Sequence, residues 1–317
     1  MALRLVFVHG IGGPRRVEEQ QERWVSALVS GARQAGHSKS AQSLADGSLA
    51  EVVFAYYGDL FHSAKAQGAG ILDLDENEAV LLNELLGEIV ETHFDAQNGQ
   101  VESLERALAQ LRPGGEAEGV GDLIRRATNV ATTLLGAGPW GRAGQWVSGQ
   151  LLVRDLAQVA RYLARGEPGE NGRTLDTRIR DIVESALGPG PSVVIAHSLG
   201  SIVTFEMLHN YPQAVPLWVT LGSPLAMRAV VWPRVRPKPS TTPDKVMCWL
   251  NFWDRDDIIV TRPILESDFA ANASGIVPKS RRVDSDGIWV HTATKYLAKA
   301  GVAGPIMETI QVLKSAA

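Results

Sequence analysis

Apolar positions along this chain follow two rhythms. Short runs rich in β-branched and aromatic residues lie toward both ends of the sequence: Leu3 to Val8, Glu51 to Tyr57, Ser192 to Ala196, Pro216 to Leu221 and Val246 to Trp253. A shorter run, "KSRRVD", precedes His291. Such runs read as strands buried on both faces of a sheet. Between them the apolar residues recur at three and four, as in Val17 to Ala35 and in a final helix from about Thr292 to Leu313. Strands alternating with helices predict βαβ units, and so an α/β fold with a mostly parallel central sheet of about six strands and helices on both faces.

The middle of the chain keeps the helical rhythm without strands. Leu81, Leu82, Leu85, Leu86, Ile89 and Val90 share one helical face, and Leu104, Leu108 and Leu111 share another. The stretches "RPGGEAEG", "GAGPWGRAG" and "RGEPGENG" punctuate this region as loops. The expected organisation is a core of residues 1–59 and 174–317, with 60–173 as a helical insertion serving as a cap or lid. "PRVRPKPSTTPDK" reads as an irregular surface loop.

Composition narrows this picture. The 317 residues are 45% hydrophobic, enough for a large core. A formal charge of -4 argues against a nucleic-acid partner held by a general basic field. The single cysteine, Cys248, sits in an apolar run and reads as a buried inert thiol. The opening "MALRLVFVHG" reads as a first strand rather than a signal peptide, and no apolar stretch is long enough to cross a membrane. A cytoplasmic location is expected, with peripheral contact to lipid as an option.

The chemistry centres on "VVIAHSLGS", residues 193–201. A buried strand passes into a helix within a few residues, with Ser198 at the junction and small Ala196 and Gly200 beside it. That is the pattern of a nucleophile elbow. A serine hydroxyl needs a base, and the base needs an orienting carboxylate. Of the two histidines downstream, His209 lies on the helix leaving the elbow and points away, so His291 in "SDGIWVHTATKYL" is the base. The acid comes from "NFWDRDD" at the carboxyl end of a strand, where Asp257 is the choice and Asp254 and Asp256 are the alternatives. For a developing oxyanion, the backbone N–H groups of Ile11, in "VHGIGG", and Leu199 are the expected donors.

These segments resemble the α/β-hydrolase superfamily of lipases and esterases, through "FVHGIGG", "IAHSLGS", "TLGSPL", "DDIIVTRP" and "WVHTATKYL". With "LVRDLAQVARYLARG", they are also similar to bacterial serine hydrolases and, more distantly, to intracellular DDHD-type phospholipases. That resemblance places Asp257 on the acid of a "DPVAYR"-like stretch, Arg262 on its arginine and His291 on the histidine of an "HSAYW"-like stretch. It covers the core and hardly touches the insertion. Ala196 stands in place of the first glycine of G-x-S-x-G, and Ile258 in place of the family's proline. The two strands that usually precede the "HG" strand are missing, which implies a shortened sheet.

Other residues have simpler roles. His197, His9, Gly10, Gly12 and Gly200 are expected to support the elbow and the glycine turn by packing and hydrogen bonding. His37, His62 and His93 lack metal-site company, and "DRDD" fits a source of the acid better than a calcium loop. Trp140 and Trp146 read as core aromatics. The glycines of "HGIGG" are not followed by a phosphate-loop lysine, which argues against nucleotide binding. The expected function is a serine hydrolase cleaving a carboxylic ester, of a lipid or other apolar acyl group, without cofactor or metal. A thioesterase or amidase with the same residues, or a non-catalytic scaffold binding a partner through the insertion, are the alternatives.

Overall fold

In a computed structural model, residues 3–11, 16–61, 74–96, 101–111, 119–137, 149–166, 169, 172–285 and 290–316 are described. In chain order the elements are β1 (Arg4–Val8), α1 (Val17–Gln34), α2 (Ser38–Ala45), β2 (Glu51–Ala55), α3 (Glu76–Ala96), α4 (Val101–Leu111), α5 (Val120–Ala137), α6 (Gly149–Ala164) and α7 (Leu175–Leu187). They continue with β3 (Ser192–His197), α8 (Leu199–Leu208), β4 (Leu217–Leu221), α9 (Val231–Arg234), β5 (Trp249–Trp253), β6 (Pro278–Arg282), α10 (Ala293–Leu297) and α11 (Ala300–Ser315).

The six strands form one sheet in the order β2-β1-β3-β4-β5-β6, and every neighbouring pair runs parallel. This is an α/β protein. The β-branched run Ser192–His197 is buried along its whole length, as a central parallel strand must be. Alternation then divides the side chains. Leu5, Phe7, Val193, Ile195, Val219 and Phe252 meet Trp24, Leu28, Tyr296, Leu297, Ala303 and Ile306 from α1, α10 and α11. On the other face Trp218 and Trp249 stack at 4.2 Å, and Phe205 of α8 approaches Trp249. Between β1 and β3 the strand order reverses direction, which opens a crevice at their carboxyl ends.

The chain divides into two compact units: 1–59, 177–226 and 235–317, which hold the sheet, and 60–176 with 227–234. The second unit is helical. Leu81, Leu82, Leu85, Leu86, Ile89 and Val90 of α3 are all buried, against α5 and α6 of the same unit. The short segment 227–234, far away in sequence, joins it because the Glu88 carboxylate accepts the N–H groups of Arg228 and Ala229, each at 2.7 Å. Gly12, His62, Trp140 and Trp146 lie outside the described residues, as do the side chains of His93 and Leu104. No described helix is long and apolar enough to cross a membrane.

Two differences from the sequence reading are local. The strand read from Val246 begins at Trp249, and Cys248, just before it, is half-buried rather than buried. The final helix is two helices, broken at Ala298 and Lys299, where Lys299 is extended (φ -88°, ψ 134°). The break lies directly on α1. A methyl group at Gly31 would stand 2.4 Å from the Leu297 carbonyl oxygen and 2.9 Å from Ala303 Cβ. Gly31 therefore sets how closely the α10–α11 corner approaches α1, and so where Tyr296 sits.

Gly31→Ala is expected to destabilise the protein by about 1–3 kcal/mol through overpacking against backbone. Gly301→Ala, in α11 with open space around the position, is expected to stabilise it by about 0.5–1 kcal/mol. Urea denaturation midpoints of the two variants should move in opposite directions.

Candidate active site

The residues singled out by the sequence lie at or beyond the carboxyl ends of β1, β3 and β5, with His291 on the segment that follows β6. Ser198 follows β3 immediately and has φ 52° and ψ -125°, a conformation that non-glycine residues rarely adopt. Such backbone costs about 1–3 kcal/mol and survives only where its surroundings over-determine it. Here the Ser198 N–H donates to the Leu221 carbonyl at 3.0 Å, and the Ser198 carbonyl accepts both the N–H (2.9 Å) and the hydroxyl (2.6 Å) of Ser201. Ser201 in turn shares a 2.7 Å hydrogen bond with Ser223.

Close backbone approach explains the glycines. A Cβ at Gly200 would lie 2.5 Å from the His9 carbonyl oxygen, and one at Gly10 would lie 2.6 Å from Ser198 Cβ. The start of α8 and the turn after β1 are pressed together, which only two glycines allow. His9 is held there by Tyr57, whose N–H donates to His9 Nε2 at 3.1 Å and whose hydroxyl donates to the carbonyls of His9 and Gly10. The His9 ring also stacks on Tyr57 at 4.1 Å. The amides of Ile11 and Leu199 donate no hydrogen bond among the described residues.

Ser198, His291 and Asp257 form one hydrogen-bonded chain. His291 Nε2 is 2.9 Å from Ser198 Oγ, and Nδ1 is 2.8 Å from both oxygens of Asp257. An ionised carboxylate only accepts, so Nδ1 carries the proton and Nε2 presents its lone pair to the serine hydroxyl. All three side chains are buried. Burial alone would raise the Asp257 carboxyl, but His291, the Tyr296 hydroxyl and the Ile259 N–H together outweigh it and hold the group below its ordinary value.

The other two aspartates of "DRDD" sit differently. Asp256 is exposed and lies beside Arg255. Asp254 is buried but turned to backbone: it accepts the N–H of Asp256 at 2.9 Å and that of Ser285, tying the turn after β5 to the segment leading toward His291. Arg262 lies 3.7 Å from Asp268, away from the chain of hydrogen bonds. Among the described residues no group of three or more His, Cys, Asp or Glu side chains could hold a metal ion.

Two contributors escaped the sequence reading. Gly222, at the end of β4, has φ +54°, and a Cβ there would stand 2.7 Å from Asp257 Oδ2 and 3.2 Å from His291 Nδ1. Its only signal was a glycine directly after a buried strand, in "TLGSP". Tyr296 donates its hydroxyl proton to Asp257 Oδ2 at 2.7 Å, and nothing in "HTATKYL" distinguishes it from a core tyrosine.

His197 ends β3 with its ring 4.7 Å from that of His291 and edge-on to Trp24. Among the described residues its Nε2 is buried without a hydrogen-bond partner. Burial holds this imidazole well below its ordinary value near 6.5, and the neighbouring His291 adds to the effect. The unfolded chain thus takes up the proton first. Its stability contribution is complete above about pH 6.5 and is lost as pH falls below that toward the folded value. Urea midpoints from about pH 8 down to about pH 5 should fall more steeply for the natural protein than for His197→Phe; parallel curves would show that His197 does not carry the dependence.

No protein-family model matches the chain, and no match to it is found among curated proteins or solved structures.

Proposed function

We propose that this chain is a serine hydrolase of the α/β-hydrolase superfamily that cleaves a carboxylic ester. One observation carries the reading: a strained serine at a strand-to-helix junction whose hydroxyl is 2.9 Å from an imidazole that is itself held at 2.8 Å by a buried carboxylate. A structural serine has no need of that arrangement, and a nucleophile does.

In the proposed reaction Ser198 Oγ attacks the ester carbonyl carbon while His291 Nε2 takes the hydroxyl proton. Asp257 keeps the Nδ1–H tautomer in place and stabilises the imidazolium without accepting its proton. The negative charge on the former carbonyl oxygen meets the N–H groups of Ile11 and Leu199. Collapse breaks the C–O bond as His291 gives its proton to the leaving alkoxide; His291 then takes a proton from water, whose oxygen attacks the acyl carbon, and returns it to Ser198 Oγ as the acid leaves. The apolar stripe of α3 is taken up by packing within its own helical unit, so the reading rests on the bond cleaved. The acyl preference is read from p-nitrophenyl esters of increasing chain length.

Incubation with a fluorophosphonate, followed by peptide mass spectrometry, should place the label on Ser198, and Ser198→Ala and His291→Ala should abolish it. Asp257→Asn should lower kcat by about 1,000- to 10,000-fold through the wrong tautomer. Asp256→Asn should leave turnover within about twofold, as an exposed side chain away from the site. Undiminished ester turnover in folded Ser198→Ala would overturn the proposal.

A further inference from the structure

The Asp257 carboxylate is shared. Its Oδ1 accepts the Ile259 N–H at 3.1 Å, its Oδ2 accepts the Tyr296 hydroxyl at 2.7 Å, and the His291 N–H reaches both. Tyr296 cannot turn its proton elsewhere. Its oxygen also meets the backbone N–H of Asp254 at 3.2 Å, and since an N–H can only donate, the phenol proton is left for the carboxylate. The ring is fully buried on α10 at the corner that Gly31 lets approach α1.

We propose that Tyr296 is a positioning residue that withdraws negative charge from Asp257 and thereby lowers the proton affinity of His291. The catalytic consequence rests on the hydrolase reading above; the effect on the histidine does not. A hydrogen bond to a charged carboxylate stabilises that form and leaves less charge to stabilise an imidazolium on the other side. Tyr296 thus competes with the His291 N–H for the charge of one carboxylate. It remains a donor throughout, because burial and the adjacent carboxylates raise its own pKa well above the ordinary value.

Among the described residues, the other titratable groups facing the pair are Asp254 from the turn after β5 and His197 from the end of β3, with His9 near His197. Asp254 spends its oxygens on the N–H groups of Asp256 and Ser285. His197 is kept neutral by burial. Tyr296 is therefore the group whose removal changes the charge on Asp257 without changing the number of charges around it.

The test follows the His291 ring by NMR in ¹³C-histidine-labelled protein, beside the acid limb of kcat/KM for a p-nitrophenyl ester. Tyr296→Phe should move both upward by roughly 0.5–1 pH. A fluorotyrosine encoded at 296, of the same shape and a stronger donor, should move both downward, and it keeps both hydrogen bonds should Tyr296→Phe fail to fold. An unchanged His291 titration in the folded variants would overturn the inference, even if activity or stability fell. Failure of fluorophosphonate to label the natural protein would overturn the hydrolase reading instead, while the NMR titration would still decide the role of Tyr296.

Discussion

Everything at the candidate site depends on one constraint, the positive φ of Ser198 at the end of a strand buried on both faces. That conformation aims the hydroxyl away from the sheet, and it holds only because the surrounding backbone leaves no alternative. Leu221 accepts its N–H, Ser201 satisfies its carbonyl twice, and Gly10 and Gly200 let the turn after β1 and the start of α8 close on it. The strain is sustained by packing around a strand that is buried along its whole length.

The parallel sheet converts this local geometry into a site. In a sheet of order β2-β1-β3-β4-β5-β6 all strands end on one edge, so residues from the ends of β1, β3, β4 and β5 gather there whatever their separation in sequence. The chain reverses its direction of progress between β1 and β3, and Ile11 and Ser198 stand at that crevice. Asp257 and His291 arrive from the far side of the sheet, across Gly222, whose missing side chain leaves room for the imidazole and carboxylate to meet.

Asp257 shows how buried polar groups are managed at this edge. A carboxylate out of water needs a donor for each lone pair that faces protein, and here the donors come from an imidazole, a phenol and a backbone amide. Asp254, three residues earlier, is buried as deeply but faces backbone donors and so acts as a structural tie. Two identical side chains in one turn differ in role because of what each one points at.

The sequence by itself determined the strands, the parallel α/β class, and the identities of Ser198, His291 and Asp257 as the residues to examine. Those features are local: β-branched runs, helical spacing and small residues around a junction act over a few neighbours, and chain order limits which histidine and acid are available. Only the tertiary structure decided the rest. Tyr296 and Gly222 are 39 and 35 residues from Asp257; Tyr296 carries no local mark and Gly222 only its place after a buried strand, because their importance lies in reaching across strand ends to one carboxylate. The break between α10 and α11, and the capture of residues 227–234 by Glu88, arise in the same way. Close approach and hydrogen bonding between distant segments depend on three-dimensional packing, which no periodicity along the chain encodes.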